Sequence, residues 1–218
     1  MVRRAQALRP PDEAAFDFSR FPRRSLRAST HWYRQHRARE GKDHGAWYFS
    51  SHAAGEEGDG RFDLAVPDGT CYLSSTARGA INELIGPDAA ERGWVNSELV
   101  AGRVVSRLPL PRDVRVANVS AERAADFRIT RELVTTVDYG LTQQWAAGLA
   151  AAGFGGILAD LRFTPGTPKG LALFGSAGVP EPPWQGDPDA RPVRPLVESY
   201  GIEVVDPPSF STVSLAKP

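Results

Sequence analysis

The chain has 218 residues, with 26 Lys and Arg against 26 Asp and Glu, so its formal net charge is zero. This length fits one large domain or two small ones, and the balanced charge excludes binding to nucleic acid or membrane surfaces through charge alone. The single Cys excludes an intrachain disulfide, and no apolar segment is long enough to span a bilayer. We therefore expect a cytoplasmic protein with no direct nucleic-acid or membrane partner.

The first part of the chain differs in composition from the rest. Residues 1–28 are rich in Arg, Pro and Ala and show little periodicity, although Phe16, Phe18 and Phe21 are spaced apolar side chains. We predict an N-terminal extension over residues 1–28, which packs loosely on a single domain over residues 29–218. A docking arm for a partner is the less favoured alternative.

Two aromatic segments, residues 31–36 and 47–49, predict the first strands of that domain. Within the first segment, Arg34 alternates with Trp32 and His36 and therefore shares their face of the strand. An Arg that faces the interior requires an anionic partner.

The partner of Arg34 could be Glu83 or the phosphate of a ligand. Arg37 takes its place if the strand register differs. Planar guanidinium groups at Arg34 and Arg61 could hold a pyrophosphate through paired hydrogen bonds, which Lys does less well.

The segment RFDLAVPDGTCYLSSTARGAINELIG, residues 61–86, predicts a turn, a strand and a capped helix. Turn chemistry occurs at residues 67–69, and strand-forming side chains occupy residues 70–73. The hydroxyl groups of residues 74–76 can cap a helix, and Gly86-Pro87 is typical of a helix end.

Arg61, Tyr72 and Glu83 are evenly spaced within or beside these elements. Taken one at a time, the Arg and the Glu are typical of solvated surface charges, and the Tyr is typical of half-buried packing. Glu83, however, lies at the edge of the predicted apolar helix face, where a carboxylate can be held rigidly and partly dry.

The remaining pattern alternates short strands with helices and predicts an α+β fold. An amphipathic helix is marked by Leu141, Trp145, Leu149 and Ala152 and ends at Gly153. The other predicted elements are strands at 98–105, 114–119, 156–159, 170–174 and 200–205, a short helix at 121–127 capped by Ser120, and an irregular loop at 178–195.

Three other kinds of site are disfavoured by spacing. The histidines at positions 31, 36, 44 and 52 match no standard zinc pattern, so we expect no metal. Cys71 alternates with Tyr72 in a short strand, which predicts a buried packing role rather than a nucleophile. The glycines at 153–156 follow a helix and precede a strand, the reverse of the dinucleotide-binding order, and predict a helix stop.

Several of these pieces together resemble the RES domain family. They are Tyr33-Arg34, Gly60-Arg61-Phe62, the segment PDGTCYLS at 67–74, and Ala80 followed three residues later by Glu83. Later pieces, YGLTQQWA at 139–146, Gly156-Ile157 and LALF at 171–174, extend the resemblance over about residues 30–175.

The resemblance implies an ADP-ribosyltransferase-like split antiparallel sheet with flanking helices, and a bacterial toxin that consumes NAD. It implies Glu83 and Arg34 as catalytic residues and Arg61 and Tyr72 as NAD-binding residues, with no metal. In this scheme Arg34 and Arg61 hold the phosphates, Tyr72 stacks on the nicotinamide ring, and Glu83 stabilises the cation that develops at the ribose.

The resemblance leaves the acceptor open: water, inorganic phosphate as a co-substrate, or a macromolecule. A decayed NAD-binding module is a further alternative, because Leu161, beside Arg162, stands where the family has a Ser. Thr164, Thr167 or Ser176 could replace that hydroxyl.

The resemblance also implies a protein partner. RES toxins are held by an Xre-type antitoxin that blocks the site. We expect the acidic, Gly-rich loop at residues 50–60 and the Arg-rich start of the chain at that interface. Whether the protein forms a homo-oligomer stays open.

Overall fold

An eight-stranded, mainly antiparallel sheet forms the centre of the molecule in the computed structural model, which describes residues 7–12, 14–38 and 45–207. The strands of the described residues are β1 (Arg23–Leu26), β2 (His31–Arg37), β3 (Ser51–His52), β4 (Leu64–Ala65), β5 (Asp68–Ser74), β6 (Trp94–Asn96), β7 (Arg103–Pro109), β8 (Val114–Asn118), β9 (Gly156–Asp160), β10 (Lys169–Ser176), β11 (Arg191–Pro192) and β12 (Glu203–Val205). The helices are α1 (Ala77–Arg92), α2 (Ser97–Val100), α3 (Glu132–Thr135), α4 (Tyr139–Ala151) and α5 (Val193–Ser199), with 3₁₀ turns at Phe18–Arg20 and Glu122–Phe127.

The large sheet has the strand order β1-β8-β9-β10-β5-β2-β7-β11. Its pairs are antiparallel except β8 with β9, while β6 with β12 and β3 with β4 form small parallel sheets. The predicted α+β fold with a largely antiparallel sheet and flanking helices is therefore confirmed.

Side chains alternate between the two faces of the central strands, as the period of a strand requires. On β5, Cys71 and Leu73 pack with Trp47 on one face, whereas Tyr72 packs on the opposite face beneath α4. A third apolar cluster, which includes Ile81 of α1, joins that helix to α5 and the small β6–β12 sheet.

The sheet opens between β2 and β5. These two strands pair only at Tyr33 and Ser74, whereas β2 pairs with β7 over seven residues. Because the strands separate beyond this single pair, side chains from both of them border the same space on the side of α1.

Helix α1 begins where the hydroxyl pattern predicts, but it ends at Arg92, seven residues later than expected. Thr76 is the N-cap, and its Oγ1 accepts a hydrogen bond from the N–H of Gly79 at 3.0 Å. The predicted stop at Gly86-Pro87 is wrong, because Gly93, with a φ of 76°, is the C-cap.

Gly86 has a packing role instead of a capping role. A Cβ atom at Gly86 would lie 2.1 Å from Cγ of Phe163, so only glycine admits this ring against the helix. Pro87 lies inside the helix and removes the N–H that would otherwise bond the carbonyl of Glu83, four residues earlier.

The segment at the start of the chain packs more closely than the predicted extension. Leu8, Phe18 and Phe21 are buried in the main core, and Phe21 lies 4.8 Å from the ring of Phe127. Strand β1 pairs with β8 at the edge of the large sheet. The apolar spacing was visible in the sequence, but the long-range partners that bury it were not.

Three further predictions are wrong in their secondary structure. Residues 47 and 48 are not a strand; Trp47 is buried and its ring lies against Trp184, with ring centroids 5.0 Å apart. The predicted strand at 98–105 is divided into α2 and β7, and residues 191–195 at the end of the predicted loop belong to β11 and α5.

Two local features also differ from their predictions. Ser120 caps no helix, because the 3₁₀ turn begins after Ala121 without a side-chain cap. The turn before β5 lies at Val66-Pro67, so Asp68 and Gly69 already belong to the strand. None of the described helices combines the length and the apolar character that crossing a membrane requires.

We expect Gly86→Ala to lower the free energy of unfolding by about 1–3 kcal/mol, because the added methyl group overlaps the Phe163 ring. Denaturant unfolding measures this change. Gly140→Ala is the matched control. Its Cβ would lie 3.2 Å from Oε2 at the end of the Glu57 side chain and at an ordinary contact distance of 3.7 Å from Oδ1 of Asp138, and alanine favours a helix. A Gly86→Ala protein as stable as the control would contradict the packing role.

Candidate functional site

A cavity of about 490 Å³ lies over β5, β9 and β10, between α1 and the start of α4. This volume is in the range of about 300–1,000 Å³ that is typical of small-molecule sites. The cavity also borders the opening between β2 and β5. Its charged lining consists of Arg34, Asp59, Arg61, Glu83, Asp160 and Arg162.

Glu83 projects from the middle of α1 into the cavity wall. Its Oε1 accepts a hydrogen bond from the N–H of Phe163 at 2.8 Å, which fixes the carboxylate. The residue is open to solvent on one side, yet desolvation raises the pKa of its carboxyl, against the lowering effect of the Phe163 and Arg162 backbone N–H groups and of the Arg61 charge.

Glu83 differs from the other carboxylates of the cavity. Asp160 forms an ion pair with Lys169 and lies 3.6 Å from Arg131, so its charge is already compensated. Asp59 is exposed to solvent. Glu83 forms none of the ion pairs among the described residues, and its carboxylate is therefore the one held by backbone donors and available to a cationic ligand.

Arg61 lies across the cavity on the turn before β4. Its Nη1 donates to the carbonyl of Thr136 at 2.6 Å, and its guanidinium lies 4.9 Å from the centre of the Tyr139 ring. Burial lowers the pKa of Arg61, with Tyr139 as the main opposing effect, but a guanidinium stays charged at neutral pH. The start of α4 thus holds a cation at the cavity wall.

Tyr72 lines the cavity from β5, but its hydroxyl is bound within the protein. The hydroxyl donates to Oδ1 of Asp63 at 2.8 Å and accepts from the N–H of Phe62 at 2.7 Å. The ring edge or face is therefore the part of Tyr72 that a ligand can contact.

Arg34 also lines the cavity, but its guanidinium has partners other than the predicted anion. Its Nη1 donates to the backbone carbonyls of Gly45 and Ala46. The hypothesis that Glu83 pairs with Arg34 is therefore wrong for this structure, and Arg37, which is exposed at the end of β2, is not part of the cavity lining.

The structure thus brings together all four residues predicted for the site: Arg34, Arg61, Tyr72 and Glu83. Sequence reasoning missed Asp63, which is 2% exposed. It also missed Tyr139 as the partner of Arg61. No local signal distinguishes Asp63, because its burial depends on the distant strand β5.

One match identifies the protein family of this chain. The family model of the RES domain matches residues 4–188, which is most of the chain. The chain belongs to the RES family. No curated protein sequence matches it. Among solved structures, it is similar to the crystal structure of the M. tuberculosis MbcT-MbcA toxin-antitoxin complex, with a TM-score of 0.48 and 14% identity over 69% of this chain and 76% of that chain.

Leu161, where the family resemblance predicts a Ser, lies at the cavity. Leu161 lines the wall and packs against Gly79 and Gly170, where added Cβ atoms would lie 2.7 and 2.9 Å from its methyl carbons. Thr164, Thr167 and Ser176 are not among the lining residues. Ser74, at the end of β5, is the Ser or Thr among the described lining residues, but it is 2% exposed and its Oγ accepts a hydrogen bond from the N–H of Thr76 at 3.2 Å.

The alternative sites have structural explanations. Cys71 is fully buried, and desolvation raises the pKa of its thiol, so the predicted packing role is confirmed. Gly153 has a φ of 82° directly after α4 and acts as the predicted helix stop. No group of three or more potential metal ligands occurs among the described residues, which do not include His44.

The raised pKa of Glu83 predicts how the stability of a Glu83→Gln variant changes with pH. A carboxyl whose pKa is raised on folding contributes full stability below its ordinary pKa, and this contribution is lost as the pH rises through the folded value. We therefore expect the variant to melt at or above the wild-type temperature at neutral pH. The difference should close as the pH falls below about 4, where the Glu83 carboxyl becomes protonated in both the folded and the unfolded protein and is uncharged like Gln.

Thermal unfolding of both proteins across this pH range measures the effect. Glu91→Gln, an exposed position on the same helix, is the control. A Glu83→Gln protein that is clearly less stable than wild type at neutral pH would show that the Glu83 charge serves the fold.

Proposed function

We propose that this RES-family protein cleaves the bond between nicotinamide and ribose in NAD and acts as a toxin. One observation carries the proposal: a rigid, partly desolvated carboxylate and a partly buried guanidinium, Glu83 and Arg61, face the same cavity. Perturbed charges of opposite sign in one cleft are typical of a site that binds a ligand with both kinds of charge. NAD has a cationic ring at one end and anionic phosphates beside the ribose.

The carboxylate suits the chemistry at the ribose. When the bond between C1′ and the nicotinamide nitrogen breaks, both electrons leave with the nitrogen, and positive charge develops on the sugar. A fixed anion beside C1′ stabilises that charge more in the transition state than in the ground state. Glu83 is held for this role by the N–H of Phe163.

The guanidinium groups suit the phosphates. Arg61 is held by Thr136 and Tyr139 at the cavity wall, so little rotamer entropy remains to be lost when it binds an anion. Arg34 is also among the lining residues, and its Nη1 is bonded to backbone carbonyls. The ring of Tyr72 offers a surface on which a nicotinamide or adenine can stack.

The acceptor completes the reaction. Water gives ADP-ribose, nicotinamide and a proton, and inorganic phosphate gives ADP-ribose 1″-phosphate and nicotinamide. Either acceptor adds its oxygen to C1′ after the nicotinamide has left, so no oxidant, reductant or metal is consumed.

We expect Glu83→Gln to retain the fold and to lose about 10²-fold or more in kcat for nicotinamide release, because the amide cannot stabilise a cation as a carboxylate does. Purified wild-type protein, Glu83→Gln and the control Glu91→Gln are incubated with NAD, with and without phosphate. Chromatography then quantifies nicotinamide and the ribose product. Near-wild-type turnover in Glu83→Gln would reject the role of Glu83.

The same assay separates the alternative functions. Label from NAD that appears on protein or nucleic acid identifies a macromolecular acceptor. NAD binding without release of nicotinamide by the wild type identifies a non-catalytic module and overturns the proposed reaction.

An enzyme that destroys NAD must be restrained in its own host, and we propose an Xre-type antitoxin that covers the cavity. The loop expected at this interface borders the site: Asp59 and Gly60 line the cavity, while residues 53–57 are exposed. The side-chain amide of Gln143 donates hydrogen bonds to the carbonyls of Gly58 and Gly60, which hold the end of the loop that lies nearest the cavity. Of the Arg-rich start of the chain, residues 1–6 and residue 13 lie outside the described part.

Expression of the protein alone should therefore lower cellular NAD and arrest growth. Co-expression with the neighbouring gene should restore both and give a stable complex that releases no nicotinamide. Glu83→Gln expressed alone is the control and should be tolerated. Normal growth and normal NAD at high levels of the wild-type protein would contradict the toxin and the partner together.

A further inference from the structure

Asp63 is a buried charged group that the proposed reaction does not use. Only 2% of it is exposed, and none of the ion pairs among the described residues includes it. Its two oxygens accept hydrogen bonds from the hydroxyl of Tyr72 at 2.8 Å and from the N–H of Gly60 at 2.8 Å. A carboxylate without a cationic partner is costly to bury, so a role beyond packing has to be considered.

The hydroxyl of Tyr72 closes the other side of this network. It accepts a hydrogen bond from the N–H of Phe62 at 2.7 Å and donates one to the carboxylate of Asp63. Desolvation, together with the adjacent Asp63 charge, raises the pKa of Tyr72 well above its ordinary value, so the hydroxyl stays a donor.

These bonds hold the residues on both sides of Arg61. Gly60 precedes it, and Phe62 and Asp63 follow it, while the hydroxyl of Thr142 bonds the carbonyl of Arg61 itself. The backbone from which the guanidinium extends is therefore fixed at each residue.

The space around this turn is closed as well. A Cβ atom at Gly60 would lie 2.4 Å from Oδ1 of Asp63 and 2.6 Å from the hydroxyl of Tyr72. The Asp63 carboxylate and the Tyr72 hydroxyl can therefore approach the backbone this closely because residue 60 is glycine, which has no Cβ atom.

We propose that Asp63 and Tyr72 are positioning residues: they orient the turn that carries Arg61, so that its guanidinium faces the phosphate groups of the dinucleotide in the cavity. This proposal rests on the proposed function for the identity of the ligand. Tyr72 then acts through its hydroxyl, in addition to any contact of its ring with the ligand. Asp63 acts without contacting the ligand.

A double-mutant cycle tests this coupling. NAD affinity is measured by calorimetry for Tyr72→Phe with Arg61 present and with Arg61→Ala, all in the Glu83→Gln background so that NAD is not consumed. We expect Tyr72→Phe to weaken binding about tenfold when Arg61 is present and less than about twofold when it is absent. Equal losses in both backgrounds would overturn the proposal, because the hydroxyl would then act independently of Arg61.

Two further variants separate positioning from stability. Tyr200→Phe makes the same chemical change outside the cavity, beside Arg78, and should leave affinity unchanged. Asp63→Asn keeps the shape of the side chain and should show the same dependence on Arg61 as Tyr72→Phe. If both Tyr72→Phe and Asp63→Asn fail to fold, the pair is a requirement of the fold, and the proposal is rejected.

A readout without NAD distinguishes failure of this inference from failure of the proposed function. The guanidinium N–H groups of Arg61 give NMR signals that are assigned by their absence in Arg61→Lys. We expect these signals in the wild type and in Tyr200→Phe, and their loss in Tyr72→Phe, whether or not the protein binds NAD. Unchanged signals in Tyr72→Phe would overturn the positioning role, whereas lost signals without NAD binding would reject only the proposed function.

Discussion

The opening between β2 and β5 is the constraint on which the site depends. Two neighbouring strands of a sheet ordinarily exchange hydrogen bonds along their length, and no space for a ligand remains between them. Here the pairing is limited to Tyr33 and Ser74, and β2 satisfies its other edge through β7. Because the strands separate, Arg34 on one of them and Tyr72 on the other border the same cavity, and α1 closes it with Glu83.

The cavity combines groups that cost stability. Desolvation raises the pKa of Glu83 and lowers that of Arg61, so each charge is less favourable here than in water. Hydrogen bonds from and to the backbone, at Phe163 and Thr136, fix both groups without neutralising them. Such preorganised, uncompensated charge is what stabilises a developing charge during a reaction, and it is a recognised reason why active sites lower the stability of a fold.

The sequence was most informative where the determinants of structure are local. The strand β5, the start of α1 at Thr76 and the helix stop at Gly153 follow from side-chain chemistry within a few residues. The four residues predicted for the site came from family resemblance, and the structure has them in the lining of one cavity. The local pattern placed Glu83 at the edge of the apolar helix face, which is where the structure has it.

Prediction failed where a residue has a distant partner. Gly86 was expected to end a helix, but its role is set by Phe163, which is 77 positions later in the chain (163 minus 86). Trp47 was expected in a strand because it is aromatic, but it is fixed by Trp184 across a loop. The burial of Asp63 depends in the same way on Tyr72, since only the assembled turn brings its carboxylate to the hydroxyl.

The first described residues bond to later parts of the chain, and this has a consequence for synthesis on the ribosome. The N–H of Leu8 donates a hydrogen bond to the carboxylate of Glu132, and the carbonyl of Arg9 accepts one from the indole N–H of Trp145. The earliest described residues therefore cannot form these bonds until residues more than a hundred positions later have been synthesised. The cavity itself includes Ala172 of β10. A ribosome must therefore release the chain through β10 before a nascent copy can form the complete cavity, so a binding site for a ligand arises in one late step and does not grow with the chain.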